Sequence, residues 1–251
     1  SSTMARAGGS TFEPYRVGGS RVAVLGRNET TGKQVWSAGH GYPGDFAYRE
    51  FHKKEGESGL RYWRVTGDAV DLGAKHLYDP AAATARTEEH ARHFAALARE
   101  ELSAYRAQSG RAGIIVAAYD TELFGHWWFE GSSWLGQTLR LLAADESIEL
   151  TCAAQHVGAN PPEAALPLPE SSWGSGGTHA TWQNGDTAWM WDVIDGAQRR
   201  METIAAGYRE GAPDADARRQ AARELLLLES SDWPFLASTG QARDYAEMRF
   251  R

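Results

Sequence analysis

The chain has 251 residues, of which 42% are hydrophobic and 24% are charged, a globular composition long enough to bury a core. Its net charge of -7 disfavours nucleic acid as a partner. The sequence contains no apolar run of about 18 residues, so no membrane-spanning helix is predicted. The single cysteine, Cys152, excludes an internal disulfide framework and a cysteine zinc cluster. Because no secretion leader is recognisable either, the cytoplasm is the expected location.

The beginning of the chain is rich in glycine and serine. Residues 1–20 show no hydrophobic period, which predicts a linker or loop. Short buried strands are predicted at residues 21–26 and 60–66, with a long segment of glycines and aromatic residues between them. Long ordered loops of this kind tend to be functional.

The middle of the chain alternates between helical and extended patterns. Apolar residues at spacings of three and four predict a helix over residues 86–108, which Gly110 ends. The continuous apolar run at 113–119 is typical of a strand buried on both faces of a parallel sheet. A helix from residue 134 and a strand at 148–155 follow. This rhythm predicts an α/β domain.

The last third of the chain has a different character. Residues 160–169 contain four of the nine prolines and indicate a linker. From Asp186, a candidate N-cap, a helical period continues to Tyr208. A second helix is expected to end near Leu228 and a third to follow the SSDWP turn. Residues 158–251 are therefore predicted to form a helical domain.

Asp120 is the strongest candidate for chemistry. It follows the apolar run at the predicted mouth of the sheet, where α/β folds keep their sites. Aromatic neighbours would desolvate its carboxyl and keep it protonated, as a general acid requires. It could equally cap the next helix or pair with an arginine. Glu122 is interpreted as an orienting neighbour, whereas His126 either contacts substrate or is a buried histidine bonded to the backbone.

Tryptophan is unusually frequent, with 10 residues against nine tyrosines and eight phenylalanines. Trp173 and Trp182 stand beside glycines in loops, which favours stacking on a pyranose face over core packing. Trp36, in the early glycine-rich segment, is interpreted in the same way. Trp63 and Trp134 are expected in the core.

A histidine pair and several glycine clusters indicate no further chemistry. His90 and His93 lie three residues apart on the predicted helix, but no third ligand accompanies them. A solvated helix face is therefore expected there, and no metal site. The glycine clusters match neither common nucleotide-binding pattern, and no G-x-S-x-G elbow occurs.

Four segments together resemble a known family. They are VWSAGHGYPGDFAYREF, AAYDTELFGHWWFEG, LPESSWGSGGTHATWQNGDTAWMWD and SSDWPF, in this order. They resemble glycoside hydrolase family 57, in particular its 1,4-α-glucan branching enzymes, from about Arg21 onward. The resemblance implies the α/β fold of an incomplete (β/α) barrel of seven strands. Residues 21–157 would be the C-terminal part of this barrel, and residues 158–251 a helical C-terminal domain.

The resemblance also implies roles for individual residues. Asp120 would be the catalytic general acid/base, with His126 as a possible substrate contact beside it. The cleft tryptophans and two further substrate contacts would be Trp36, Trp173, Trp182, Asp232 and Arg27. No metal or organic cofactor is expected, and the implied substrate is an α-1,4-glucan such as glycogen or starch.

One part of the family pattern is absent from this sequence. Neither the early histidine motif nor the nucleophilic glutamate of the family is found, so the chain is interpreted as the C-terminal portion of a longer enzyme. Its expected partner is the N-terminal half, without which it should be inactive, because retaining glycosyl transfer needs two carboxyl groups. Two alternatives stay open: an α-amylase or 4-α-glucanotransferase of the same family, and a non-catalytic glucan-binding module.

Overall fold

The computed structural model describes residues 2–37 and 39–251. The chain is mixed α/β and rich in helix. It divides into two compact units, Ser1–Pro169 and Glu170–Arg251, so the proline-rich stretch at 160–169 lies in the first unit. Among the described residues, no helix is long and apolar enough to cross a membrane.

A small sheet joins distant parts of the first unit. Its central strand β1, Tyr15–Val17, pairs antiparallel with β2, Ala23–Val24. On its other edge β1 pairs in parallel with β3, Ala165–Leu166. The strand order is therefore β2-β1-β3.

The segment 1–20, expected to be a linker or loop, contains one helix and one strand; its first residue, Ser1, lies outside the described residues. Helix α1, Ser2–Arg6, precedes β1. Met4 in this helix packs in a small core with Leu166 of β3. The local composition gave no sign of these elements, because the contacts that create them are made with residues far along the chain.

Three of the four predicted strands are wrong. The first prediction contains β2, but residues 60–66 and 113–119 form only isolated bridges. Part of the segment 148–155 lies in helix α5, Ala153–Ala159. The run at 113–119 is half-buried to exposed, because no neighbouring strand among the described residues pairs along its length.

The longest helix, α3, spans Pro80–Ser109. Asp79 caps its first turn by accepting hydrogen bonds from the backbone N–H groups of Ala81 and Ala82. Gly110 ends it in the left-handed conformation with φ 72°, as predicted. The predicted start lay too late in the chain, because the alanine-rich first turns show no amphipathic period.

Helices α2, Glu29–Trp36, and α4, Gly131–Ala143, lie in contact with α3. The core contains Trp128 and Trp134, each 1% exposed, which confirms the expectation for Trp134. Phe94 of α3 meets Trp134 edge-on, with ring centroids 5.1 Å apart. The complete cluster is Val35, Tyr42, Tyr48, Ala83, Ala91, Phe94, Leu123, Trp128 and Trp134.

The second unit is helical, as predicted. Its helices are α6, Ala188–Ala206, α7, Ala215–Leu228, α8, Asp232–Thr239, and α9, Arg243–Phe250. Thr187, and not Asp186, occupies the N-cap position of α6. Met190 and Ile194 of α6 form the core with Ala237 and Phe250.

Candidate active site

Asp120 begins a tightly folded loop in the first unit. The next residues, Thr121–Leu123, form a single 3-10 turn, which the Asp120 side chain does not cap. Its carboxyl is exposed and has no hydrogen bond or ion pair among the described residues, so the capping and arginine alternatives are both wrong. The expected desolvation is also not observed, because Leu123 and Trp128 enter the core while Asp120 stays at the surface.

Tyr119 fixes the backbone beside Asp120. Its hydroxyl donates a hydrogen bond to the backbone carbonyl of Thr31 in α2, at 3.1 Å. Burial raises the pKa of Tyr119 to about 12, while the hydrogen bond to Thr31 and the charge of Arg27 act in the opposite sense. The hydroxyl therefore remains a neutral donor at physiological pH and ties the Asp120 loop to α2.

Arg27 and Trp36 share an open pocket of about 270 Å³ along α2. Trp36 is the last residue of this helix and is 40% exposed. Arg27 forms an isolated parallel bridge with Val116, four residues before Asp120 in the sequence. The structure thus groups Arg27, Trp36 and the backbone leading to Asp120.

His126 lies on the same loop and is exposed. Its imidazole meets the rings of Phe51 and Trp127 edge-on, at centroid distances of 5.4 and 5.3 Å. The alternative of a buried histidine satisfied by the backbone is therefore wrong. Among the described residues, no hydrogen-bond partner contacts its ring nitrogens.

A larger open pocket of about 670 Å³ lies between the loop around Tyr42 and helix α3. Here Arg86 donates to Asp45 Oδ2 from Nε at 3.0 Å and from Nη2 at 2.6 Å. Arg86 Nη2 also lies 3.2 Å from His90 Nε2, so this nitrogen is the acceptor. The other ring nitrogen of His90, Nδ1, then donates to the Tyr48 hydroxyl at 2.8 Å.

This polar network was not predicted from the sequence. Burial and then the charge of Arg86 lower the pKa of His90 to about 4, so the imidazole is neutral at physiological pH. The solvated face expected for His90 and His93 is therefore wrong for His90. The charged and polar side chains of this network are hydrogen-bonded to one another, which indicates a structural role. Among residues 2–37 and 39–251, no cluster of three His, Cys, Asp or Glu side chains could hold a metal ion.

The second unit carries an aromatic cluster formed by Trp173, Trp182 and Phe235. Trp173 is 77% exposed and stands edge-on to Trp182, with centroids 4.8 Å apart and an interplanar angle of 87°. Phe235 of α8 lies 5.6 Å from Trp173. Asp232 is exposed and precedes Phe235 by three residues on the same helix, so both side chains project from the same side. The sequence reasoning missed Phe235.

Close packing fixes this cluster locally. A Cβ added to Gly174 would lie 2.7 Å from the Trp182 ring, so only glycine fits there without movement. The backbone carbonyl of Trp182 accepts hydrogen bonds from Trp191 Nε1 at 2.8 Å and from Thr187 Oγ1 at 2.7 Å. Trp182 is therefore held firmly, while Trp173 projects into solvent.

Comparison with known proteins gives this arrangement its context. Residues 193–251 match a family model described as "1,4-alpha-glucan branching enzyme, C-terminal". The 1,4-α-glucan branching enzyme of Thermococcus kodakarensis is 50% identical over 243 residues, which cover 96% of this chain and 36% of that enzyme. A crystal structure of the same enzyme, with glucose and additives, matches with a TM-score of 0.82 at 49% identity. That match covers 96% of this chain and 44% of the other.

Two further solved structures are similar. The GH57-type branching enzyme of Pyrococcus horikoshii has a TM-score of 0.82 at 46% identity, covering 99% of this chain and 46% of the other. The α-amylase AmyC of Thermotoga maritima has a TM-score of 0.72 at 30% identity, covering 96% and 48%. The resemblance to glycoside hydrolase family 57 is thus confirmed. Within it, the chain corresponds to the C-terminal part of the 1,4-α-glucan branching enzymes and spans less than half the length of these relatives.

Proposed function

We propose that this chain is the C-terminal part of a 1,4-α-glucan branching enzyme and supplies its general acid/base. The observation that carries the proposal is the Asp120 carboxyl, which is exposed and has no hydrogen bond or ion pair among the described residues. The N-terminal part of the enzyme would cover this carboxyl and supply the desolvation that a general acid requires. The preceding residue, Tyr119, is hydrogen-bonded to the helix that presents Trp36 beside Arg27. A proton donor next to an aromatic and a cationic side chain suits a polymer of neutral sugars.

The proposed reaction is a retaining transfer in two steps. A carboxylate nucleophile from the N-terminal part attacks the anomeric carbon, while Asp120 protonates the departing glycosidic oxygen. In the second step Asp120 takes the proton from the 6-hydroxyl of an acceptor chain, which displaces the nucleophile and forms the α-1,6 bond. The exposure of Asp120 in this chain leaves room for a nucleophile about 5–5.5 Å away, the separation that retention requires.

The remaining site residues would hold the glucan. Indole rings stack on the apolar faces of glucose units and exclude water, which favours transfer to a sugar over hydrolysis. Charged and polar side chains bind the hydroxyls at the ring edges. The residues proposed for these roles are Trp36, Trp173, Trp182, Arg27, His126 and Asp232.

The N-terminal half of the same enzyme is the proposed partner. The run at 113–119 makes one isolated bridge and is nowhere fully buried, which leaves backbone groups to be paired by another chain segment. We propose that the partner supplies the missing strands and completes an incomplete (β/α) barrel of seven strands. Residues 21–157 would then be its C-terminal part and residues 158–251 the helical domain. A cytoplasmic location fits the single, exposed Cys152.

The decisive test replaces Asp120 in the complete enzyme. Asp120→Asn should lower the branching rate about 100-fold or more, because general acid–base catalysis contributes roughly that factor. The measurement counts new α-1,6 linkages formed in amylose. Asp192→Asn, an exposed carboxyl on α6, is the matched control and should keep the wild-type rate. A wild-type rate for Asp120→Asn would reject the proposal and leave a glucan-binding module as the better explanation.

Hydrolysis or 4-α-glucan transfer is the second candidate, favoured by the similarity to the Thermotoga maritima α-amylase. The products distinguish the two functions. New α-1,6 branches support branching. Shorter linear chains with new reducing ends support hydrolysis, and a redistribution of linear chain lengths supports 4-α transfer.

A further inference from the structure

Trp127 is an exposed indole that neither the core nor the proposed site residues account for. It is 51% exposed, whereas the adjacent Trp128 is 1% exposed and belongs to the core of the first unit. Two consecutive tryptophans therefore point in opposite directions from one loop. Exposing so large an apolar side chain beside a proposed catalytic group needs an explanation.

Backbone hydrogen bonds of the loop fix this orientation. Trp128 N donates to the carbonyl of Leu123 at 2.8 Å, and Trp127 N donates to the carbonyl of Glu122 at 3.4 Å. Since Trp128 is anchored in the core, Trp127 cannot turn inward without removing its neighbour. The outward position of the indole is thus built into the fold of the loop.

One side of the indole rests on a second aromatic ring. Phe51 lies 4.3 Å from Trp127 between centroids, with an interplanar angle of 32°. Arg61 lies over the Phe51 ring at 4.7 Å, and its Nε donates to the Phe51 carbonyl at 2.6 Å. Half the surface of Trp127 remains in solvent, as expected for an indole supported on one face. A supported, preorganised ring loses little entropy when it binds a ligand.

The indole also lies close to the proposed acid. Asp120 and Glu122 are two residues apart, so their Cα atoms are at most about 7 Å apart. The Glu122 carbonyl in turn contacts the backbone of Trp127. His126 stands edge-on to Trp127 at 5.3 Å and adds a hydrogen-bonding group at its margin. An open apolar face bordered by a polar ring edge matches the alternation of faces and hydroxyls in a sugar chain.

We propose that Trp127 is a glucan-contacting residue, whose open face stacks on a glucose unit near the bond that Asp120 protonates. Phe51 positions the indole, and Arg61 holds Phe51. The inference rests on the proposed function in one respect, namely that the ligand is an α-1,4-glucan. It adds a contact outside the tryptophans of the glycine-rich loops.

The test measures binding of maltoheptaose to the complete enzyme by calorimetry. Trp127→Ala should raise Kd about fivefold, which is the effect of about 1 kcal/mol of lost stacking. Trp127→Phe keeps an aromatic face and should stay within about twofold of wild type. Tyr62→Ala is the matched control, since Tyr62 is similarly exposed and also contacts an aromatic ring, Trp63. Its Kd should not change.

An unchanged Kd for Trp127→Ala would overturn the inference. So would a variant that binds maltoheptaose normally but no longer associates with the N-terminal half, because the indole would then pack against protein. Failure of the proposed function gives a different result. In that case Asp120→Asn retains branching, whereas the comparison of maltoheptaose affinities can still favour or reject stacking by Trp127.

Discussion

Tryptophans occupy opposite environments in two regions of the molecule, the core of the first unit and the glycine-rich loop of the second. In the first, Trp128 and Trp134 are buried against the rings of Tyr42 and Tyr48. In the second, Trp173 stands in solvent on a glycine-rich loop and touches aromatic rings only at its inner side. The residue type therefore does not determine burial. The difference lies in whether the backbone turns the indole toward a layer of apolar partners or away from it.

The largest expected effect comes from replacing a buried tryptophan with alanine and comparing the result with the same replacement at an exposed one. Trp134→Ala should lower the free energy of unfolding by about 3–5 kcal/mol, because it leaves a large cavity in the core. The loss should fall toward the lower end, since Trp134 Nε1 is buried and no described residue accepts a hydrogen bond from it. Trp173→Ala should change it by less than about 1 kcal/mol. Urea unfolding followed by circular dichroism measures both, and equal losses would contradict the contrast.

Lowering the pH should destabilise the folded chain through His90, which stacks on Tyr42 of the aromatic core in the first unit. The pKa of His90 is lowered to about 4 in the folded chain but is near 6.5 when unfolded. Between these values the unfolded state binds more protons, so stability is lost as pH falls through this window. After allowance for partial solvent exposure the loss should be roughly 2 kcal/mol.

His90→Asn isolates this contribution. The variant can still hydrogen-bond to the Tyr48 hydroxyl but should show a flatter decline in unfolding free energy between pH 6.5 and 4. His126→Asn, at an exposed histidine, is the matched control and should follow the wild-type decline. If His90→Asn is as acid-sensitive as wild type, the buried histidine does not cause the loss.

A smaller effect tests whether the exposed cluster depends on its loop. The Cβ of Gly174→Ala would lie 2.7 Å from the Trp182 ring and must displace it, at a cost of about 1–2 kcal/mol. Maltoheptaose should then bind several-fold more weakly. Gly185→Ala adds the same methyl group where no atom lies within 4 Å, and should leave the affinity unchanged. Equal affinities for the two variants would mean that the ring arrangement in this loop does not matter for binding.

Helices could be predicted from the sequence because their signals are local. The apolar period around Ala91 and Phe94 and the stop at Gly110 identified α3, although the cap at Asp79 was missed. Strands could not be predicted in the same way. The run at 113–119 has the composition of a buried strand, but a ladder needs a neighbour, and local sequence does not say whether one is present.

The candidate site was predictable only to the extent that motifs identify residue types, and the roles of its residues stay predictions. The motif around residue 120 indicated Asp120 as the candidate acid. The glycines that follow Trp173 predicted that this tryptophan is exposed, and it is. Trp63, expected in the core, is only half-buried beneath Lys53. Phe235 was missed because it lies in a helix with apolar neighbours, where a contact with Trp173 from a distant loop leaves no trace in the sequence.

The hydrogen bond between the Tyr119 hydroxyl and the Thr31 carbonyl joins the two parts of the candidate site in the first unit. Tyr119 directly precedes Asp120, and Thr31 lies in the helix that ends at Trp36. In the proposed function, this hydrogen bond would connect a glucan contact at Trp36 with the backbone position of the proposed acid, Asp120.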